Sequence, residues 1–548
     1  MERDFSKGIV ILAVIFIGSF FIFFFYSPLA YIFQFAFMEE GTVSFRTFLD
    51  ILTNPVNVSA FLFSVKQAFF SVIGCLVLGV PAGYFFARYS FRGKKTLVNL
   101  LTIPFVLPPI VVLLGFMITY GPSIYSFNGI VMAHIFYNLS VIIRMSMSAW
   151  QSVDEEQIHV AQSLGASQWQ IFWKITLPQI KNYIISASMI VFTYCFNSFA
   201  IVLYLGEAKF QTLEVRIYKL MKISLDFSGG ASLAVLQILL NILLIIGYLW
   251  FERKTRQMAV DKDTTFREFP LFAKPSHWKE GMKRLGVFLF ISFICVMTFL
   301  PILAVVITSL QPHSPDVSVF WGYQQLFSST YDSLLGTSPI RLVWNSLWFA
   351  SLTALITILI SLGILIILRN RYHKVNNYQF SWAEGGLSLL ILLPMATSSI
   401  TLAIGLFLRL KSTPLFTDWG WVVIILAHVL ISTPFTTRAI LAAYNRIDLE
   451  LLNVASTLKA SRFYIFRTIE LPLIRNGLII GAIYSFAISL GEFGATTFLA
   501  RQEYSTLSMG IAKLLSSRTL QLPAAMATLL ILVTFGSFLL IHKLGDHK

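Results

Sequence analysis

Charge is what this sequence has least of. Only 12% of its 548 residues are Asp, Glu, Lys or Arg, against 56% hydrophobic, and the mean hydropathy is +0.75. So little charge cannot cover a soluble surface, and the composition is that of a membrane protein. Cysteine is nearly absent. Cys75, Cys195 and Cys295 each lie in an apolar run and none forms a C-x-x-C pair, so they read as small buried hydrophobes rather than redox or metal groups. There is no G-x-x-x-x-G-K-[ST] phosphate loop, so the chain is not expected to hydrolyse ATP. H-E-x-x-H and Cys/His clusters are missing too, which removes the common zinc chemistries. No small-residue cleavage pattern follows the first apolar run, which begins at Gly8 and continues past Phe25, and it reads as a retained span. The net charge of +15 comes from basic residues gathered in loops, with no basic stripe among aromatics. Membrane orientation explains it better than nucleic acid.

What the sequence does have is apolar runs long enough to cross a bilayer, which takes about 20 residues each. Six are expected in the first half, at 9–36, 61–87, 97–119, 127–150, 182–206 and 230–251. A charged connector follows at 252–284. Six more are expected at 286–310, 343–368, 386–409, 420–444, 476–499 and 523–541. The turn after the second span carries Arg88, Arg92, Lys94 and Lys95, its partner carries Arg369, Arg371 and Lys374, and the connector carries nine Lys or Arg. The loops 120–127 and 311–340 carry none. Positive-inside orientation then puts both termini and the connector in the cytoplasm of a multi-pass cell-membrane protein. The loop 207–229 speaks against this, because it would be outside yet carries Lys209, Arg216, Lys219 and Lys222.

Two polar islands interrupt the apolar pattern on the cytoplasmic side. Residues 154–178 read DEEQIHVAQSLGASQWQIFWKITLP, and residues 448–472 read DLELLNVASTLKASRFYIFRTIELP. Without a gap, 12 of these 25 pairs are identical at a spacing of 294, which marks an internal repeat. His134/His428, Arg144/Arg438, Asn182/Asn476 and Phe199/Phe493 recur at the same spacing, and Pro104/Pro394 and Gly115/Gly405 at 290. Each island reads as helix, turn, helix. Gly165 suits the left-handed turn, and Leu164, Phe172 and Ile175 offer apolar anchors to a soluble partner.

Both islands resemble the E-A-A loop of type I ABC-importer permeases, E-A-A-x3-G-x9–11-L-P, and the resemblance covers essentially the whole chain, twice. It implies an all-α membrane protein of two tandem six-helix type I ABC-importer transmembrane domains, about twelve transmembrane helices, each domain with a cytoplasmic coupling helix. The first permease half would be 1–251, the connector 252–284 and the second half 285–548. The resemblance further implies two copies of an ABC ATPase subunit that bind ATP and magnesium. It implies an extracytoplasmic solute-binding protein as a third partner, and no cofactor on this chain. The motif falls on His159, Val160, Ala161, Gly165, Leu177 and Pro178, and on Asn453, Val454, Ala455, Lys459, Leu471 and Pro472. The motif glutamate is thus replaced in both copies, leaving Glu156 and Glu450, one turn upstream, as the acidic contacts. The small Ala166 and Ala460 and the apolar Leu458 complete the coupling set. Lys459 stands where the motif has glycine, so the second turn is expected to differ in shape.

Fused two-half chains of this kind resemble the iron(III) and thiamine importers. The lead expectation is iron(III), with thiamine or another small cation as the alternative, although Cys195–Tyr218 and Ser489–Leu507 look most like thiamine-type permeases. Among the few polar side chains inside the spans, Glu492 stands out, with Asn197, Ser198, Tyr194 and Tyr484 at nearby levels. These would line the solute path, an acid among aromatics suiting a cation. The bland alternative for Glu492 is a helix cap or bridge. His134/His428 and Arg144/Arg438 read as packing and snorkelling groups. An ion-coupled secondary transporter would be expected to carry more intramembrane acids and no duplicated cytoplasmic helix–turn–helix. An intramembrane enzyme would need a nucleophile and base, and none can be assembled.

Overall fold

Proline and polar residues decide which of the expected spans run unbroken. The computed structural model describes residues 2–39, 42–259, 268–272, 275, 277–312, 314, 316–328, 332–372, 393–517 and 519–546. Among these, seven helices are long and apolar enough to cross a membrane: Ile11–Phe37, Pro55–Arg88, Phe127–Gln151, Phe227–Glu252, Trp278–Ser309, Pro339–Leu368 and Gly420–Tyr444. Two bent pairs raise the number to nine. The expected twelve are all represented by helix, but four of them, the third, fifth, ninth and eleventh, are interrupted.

The third span is bent by 96° between Lys94–Phe105 and Pro109–Ile124. Leu107 and Pro108 are extended there, as residues that precede proline tend to be. The fifth helix, Leu177–Phe196, stops at Asn197 and resumes as Ala200–Leu205. The eleventh runs Arg475–Gly491, bent by 65° from Arg462–Leu473, stops at an extended Glu492 and resumes as Gly494–Leu499. Of the ninth, Ser399–Leu410 is helical, and its expected start at 386–392 lies outside the described residues, as do Lys374 and part of the connector. The twelfth lies within Gln521–Asp546. The only strands among the described residues are two-residue bridges. Met38–Glu39 pairs with Thr42–Val43, and Tyr89–Ser90 pairs in parallel with Phe269–Pro270.

The chain forms two compact units, and neither coincides with a sequence half. One comprises Met1–Ile51, Ile217–Val235 and Thr308–Lys548, the other Leu52–Arg216 and Leu236–Ile307. In the first unit the opening span packs on the ninth. A Cβ added to Gly405 would lie 3.1 Å from the Pro28 carbonyl oxygen. Leu365, Ile440, Tyr444 and Ile474 form a core between the eighth, tenth and eleventh helices. In the second unit the seventh span occupies the equivalent place, and a Cβ on Gly115 would lie 2.6 Å from the Pro301 carbonyl oxygen. The repeated pair Gly115/Gly405 therefore has a common cause, the close approach of a proline-bearing span that belongs to the other sequence half. Small residues at such contacts let backbones meet where lipid offers no hydrophobic drive. The seventh span also closes a core with the second and fourth through Ala82, Phe86, Ile143, Val287, Ile291 and Ile294.

Candidate functional site: two helix–turn–helix islands and two helix breaks

Each island is built by local capping chemistry. Asp154 caps the helix Glu155–Ser163, its Oδ1 accepting from the Glu156 N–H at 3.0 Å, and Asp448 does the same for Leu449–Thr457 through the Glu450 N–H at 2.9 Å. Both helices end in the same two-bond closure. Ala166 N–H donates to Ala161 O at 3.0 Å and Gly165 N–H to Gln162 O at 3.0 Å. Ala460 N–H donates to Ala455 O at 3.2 Å and Lys459 N–H to Ser456 O at 3.1 Å. Gly165 has φ +79° and Lys459 φ +59°. The expectation that the second turn differs in shape is therefore corrected. The hydrogen bonds fix a left-handed residue at both positions, and Lys459 adopts that conformation without being glycine. Ser167 and Ser461 then cap the next short helix, with Gln170 closing a capping box in the first copy only. Each copy passes through one π-helical turn into Leu177-Pro178 or Leu471-Pro472.

The closure turns apolar side chains outward. Leu164 is 82% exposed and Leu458 77%, and Val160 and Val454 are also exposed. Glu156, His159, Glu450, Asn453 and Lys459 share that exposure, while Ala161, Ala166, Ala455 and Ala460 are half-buried. Phe172 and Ile175, expected as anchors, are half-buried, as is Pro178, whereas Pro472 is exposed. Ile158 faces the other way, against Ala149, Val153 and Ile180. The result in each copy is a short helix seated on its span by one face and bare on the other. An exposed leucine beside small residues is what a groove on a partner can take up.

The fifth and eleventh helices break at equivalent positions, and a repeated histidine faces each break. His134 Nε2 lies 2.7 Å from Ser198 Oγ. His428 has Nδ1 at 2.8 Å from Ser489 Oγ, Nε2 at 2.9 Å from Thr496 Oγ1, and Nε2 at 4.0 Å from Glu492 Oε2. Both histidines are buried, so snorkelling is corrected for this pair. Arg144, by contrast, is exposed and donates to Thr102 and Asn99. Glu492 is 9% exposed, and its Oε2 accepts the Thr496 N–H at 3.1 Å at the start of the short helix Gly494–Leu499. The carboxylate thus caps that helix. Asn197 exchanges amide hydrogen bonds with Asn241 at 3.1 and 3.2 Å and accepts from Gln237 at 2.9 Å, and Gln237 in turn donates to buried Glu214. Tyr194 lies beside Phe105, and Tyr484 is exposed.

Sequence reasoning missed Glu214, Gln237 and Asn241, whose partnership with Asn197 crosses three helices. It also undervalued the histidines, although His134/His428 and Ser198/Glu492 share one spacing. In the loop 207–229, Arg216 donates to Asn57 Oδ1 at 2.8 Å and Lys222 to the Phe498 carbonyl at 2.9 Å. Burial holds the Lys222 ammonium below the ordinary lysine range, and does the same to Lys513, which donates to the Leu335 carbonyl at 2.6 Å.

Comparison with known proteins agrees with this architecture. Thiamine transport system permease protein ThiP of Haemophilus influenzae is 25% identical over 571 aligned positions, covering 99% of this chain and 97% of that protein. ThiP of Escherichia coli is 24% identical over 504 positions, 88% of each. Molybdate/tungstate transport system permease protein WtpB of Pyrococcus abyssi is 32% identical over 163 positions, 30% of this chain and 64% of that protein. Residues 79–257 and 374–547 each match the family described as binding-protein-dependent transport system inner membrane component. The chain belongs to that family of type I ABC-importer permeases, as a fused two-half transport subunit rather than an enzyme.

Proposed function

We propose that this permease carries thiamine. The observation that carries the reading is similarity to thiamine permeases from end to end, in the same fused form. It reverses the lead given to iron(III) on sequence grounds, where the charge of the solute did not separate the two. Two copies of an ABC ATPase dock on the islands, taking up Leu164 and Leu458 with Glu156, His159, Glu450 and Asn453 around them. ATP and magnesium belong to those subunits, and this chain holds no cofactor. A binding protein delivers solute from outside, and closure of the ATPases alternates access to the path. Glu492, Asn197, Ser198, Tyr194 and Tyr484 line that path near the two helix breaks. The islands, the connector and both termini are cytoplasmic. The basic loop 207–229 no longer counts heavily against this orientation, since Arg216 and Lys222 are held by protein acceptors.

The test is uptake into proteoliposomes holding the permease, its ATPase and its binding protein. Labelled thiamine should enter with ATP, and Glu492→Gln, which keeps the capping oxygen but removes the charge, should cut uptake at least tenfold with ATPase assembly intact. Uptake of ferric ion but not of thiamine would overturn the substrate. Wild-type thiamine uptake by the Gln variant would leave Glu492 as a cap only.

A further inference from the structure

The connector is more than a tether. Five of its residues, 268–272, lie against the cytoplasmic end of the second span. Phe269 and Pro270 pair in parallel with Tyr89 and Ser90, and the Leu271 N–H donates to the Ser90 carbonyl at 2.9 Å. Leu271 is buried in the core formed by the second, fourth and seventh spans. Glu268 pairs with Lys94 at 2.8 Å, and Phe272 meets Phe91 and Phe288. Arg88, the last residue of the second span's helix, sits at the junction. Its guanidinium lies 5.4 Å from the Phe269 ring centroid, and it forms an ion pair with Glu155, the first residue of the first island's helix. Connector, second span and island are thus joined through one side chain.

We propose that residues 268–272 act as a strut that positions the first coupling helix, with Arg88 as the positioning residue between Phe269 and Glu155. This rests on the reading of the islands as ATPase docking elements. The physical case is that a short helix with one bare face keeps its angle only if its end is held. Asp154 caps the helix start, Gln179 accepts the Asp154 N–H at 3.2 Å and donates to Gln157 at 3.1 Å, and Ile158 packs on the span, while Glu155 and Arg88 add the tie that reaches the second span and the connector. The second island has leucine at the position of Glu155, Leu449, so this ion pair has no counterpart there. The two coupling helices are therefore held differently although their turns are the same.

Hydrogen–deuterium exchange of the whole permease in nanodiscs, with no ATPase present, reads the strut directly. Phe269→Ala and Glu155→Gln should each raise exchange several-fold over Glu155–Ser163 and leave Leu449–Thr457 unchanged. The double variant should add nothing beyond the larger single effect, because the two changes break one chain of contacts. Unchanged exchange over Glu155–Ser163, an equal rise in both helices, or effects that multiply would each overturn the proposal. A second readout is ATP hydrolysis by the permease–ATPase complex, expected to fall several-fold in Phe269→Ala with the ATPase still co-purifying. Unchanged hydrolysis alongside raised exchange would leave the strut standing and sink the docking reading instead.

Discussion

The turn residues of the two islands show how far a single position can be read. Glycine at 165 announces a left-handed residue, and φ there is +79°. Lys459 announces nothing of the kind, yet its φ is +59°, because the bonds from Ala460 and Lys459 to Ala455 and Ser456 demand the same closure. The identity of the neighbours, Ala-x-x-Leu-x-Ala-Ser in both copies, held the information that residue 459 did not. A Cβ in this region costs about 1–2 kcal/mol, so Lys459→Gly should stabilise the second island by roughly 1 kcal/mol after glycine's own entropy is counted. Lys459→Val should also be damaging, but less so than Gly165→Val, because Lys459 already carries the cost of a Cβ and the change adds only β-branching. Co-purification of the ATPase and local exchange over 449–460 check both. A damaging Lys459→Gly together with a harmless Lys459→Val would show that the left-handed turn is not needed there. Gly115 and Gly405 are the converse case. Their recurrence is visible in the sequence, but the reason for it, a proline carbonyl from a distant span, is not.

Elements were legible where they are continuous. The long spans run where apolar periodicity and length put them, because a bilayer-length run leaves few alternatives. The breaks were less legible. Gly491 and Gly494 flank one, but Asn197-Ser198 interrupts the fifth helix with no glycine or proline, and what holds it open is an amide network reaching Gln237 and Asn241. A partner 40 residues away leaves no local pattern. The strand at 269–270 was invisible for the same reason, being two residues long and paired with a turn far upstream. Orientation is an element-scale property as well. With cysteines introduced singly on a cysteine-free background, an impermeant reagent added to intact cells should label positions 123 and 314 and spare position 92. Labelling at 92 with protection at 123 would invert the topology.

At the scale of the molecule, repeat and compact unit do not coincide. The sequence divides near the connector, whereas each unit draws on both sides of it, the first through residues 1–51 and the second through residues up to Ile307. Identity between repeats reports common descent of segments and carries no information about which copy a segment packs against. A chain cut within the connector makes this testable. Residues 1–251 expressed alone should fail to accumulate, since Gly115 and the core at Phe86 and Ile143 lose the seventh span, while co-expression with 252–548 should restore both fragments. A stable, monodisperse 1–251 fragment would contradict the interlacing.

The contact between Pro28 and Gly405 also sets an order of events during synthesis. The first span reaches the bilayer long before its neighbour exists. At about 5–20 residues per second, the wait for the ninth helix is on the order of tens of seconds. Through that interval the N-terminal helix must persist in lipid without its final partner. Its sequence suits the delay: Ile11–Phe37 contains no Asp, Glu, Lys or Arg, and its backbone satisfies itself. A newly made chain can thus park its beginning in the membrane and retrieve it near the end, and substitutions that put charge into this helix should act first on biogenesis, before any effect on transport.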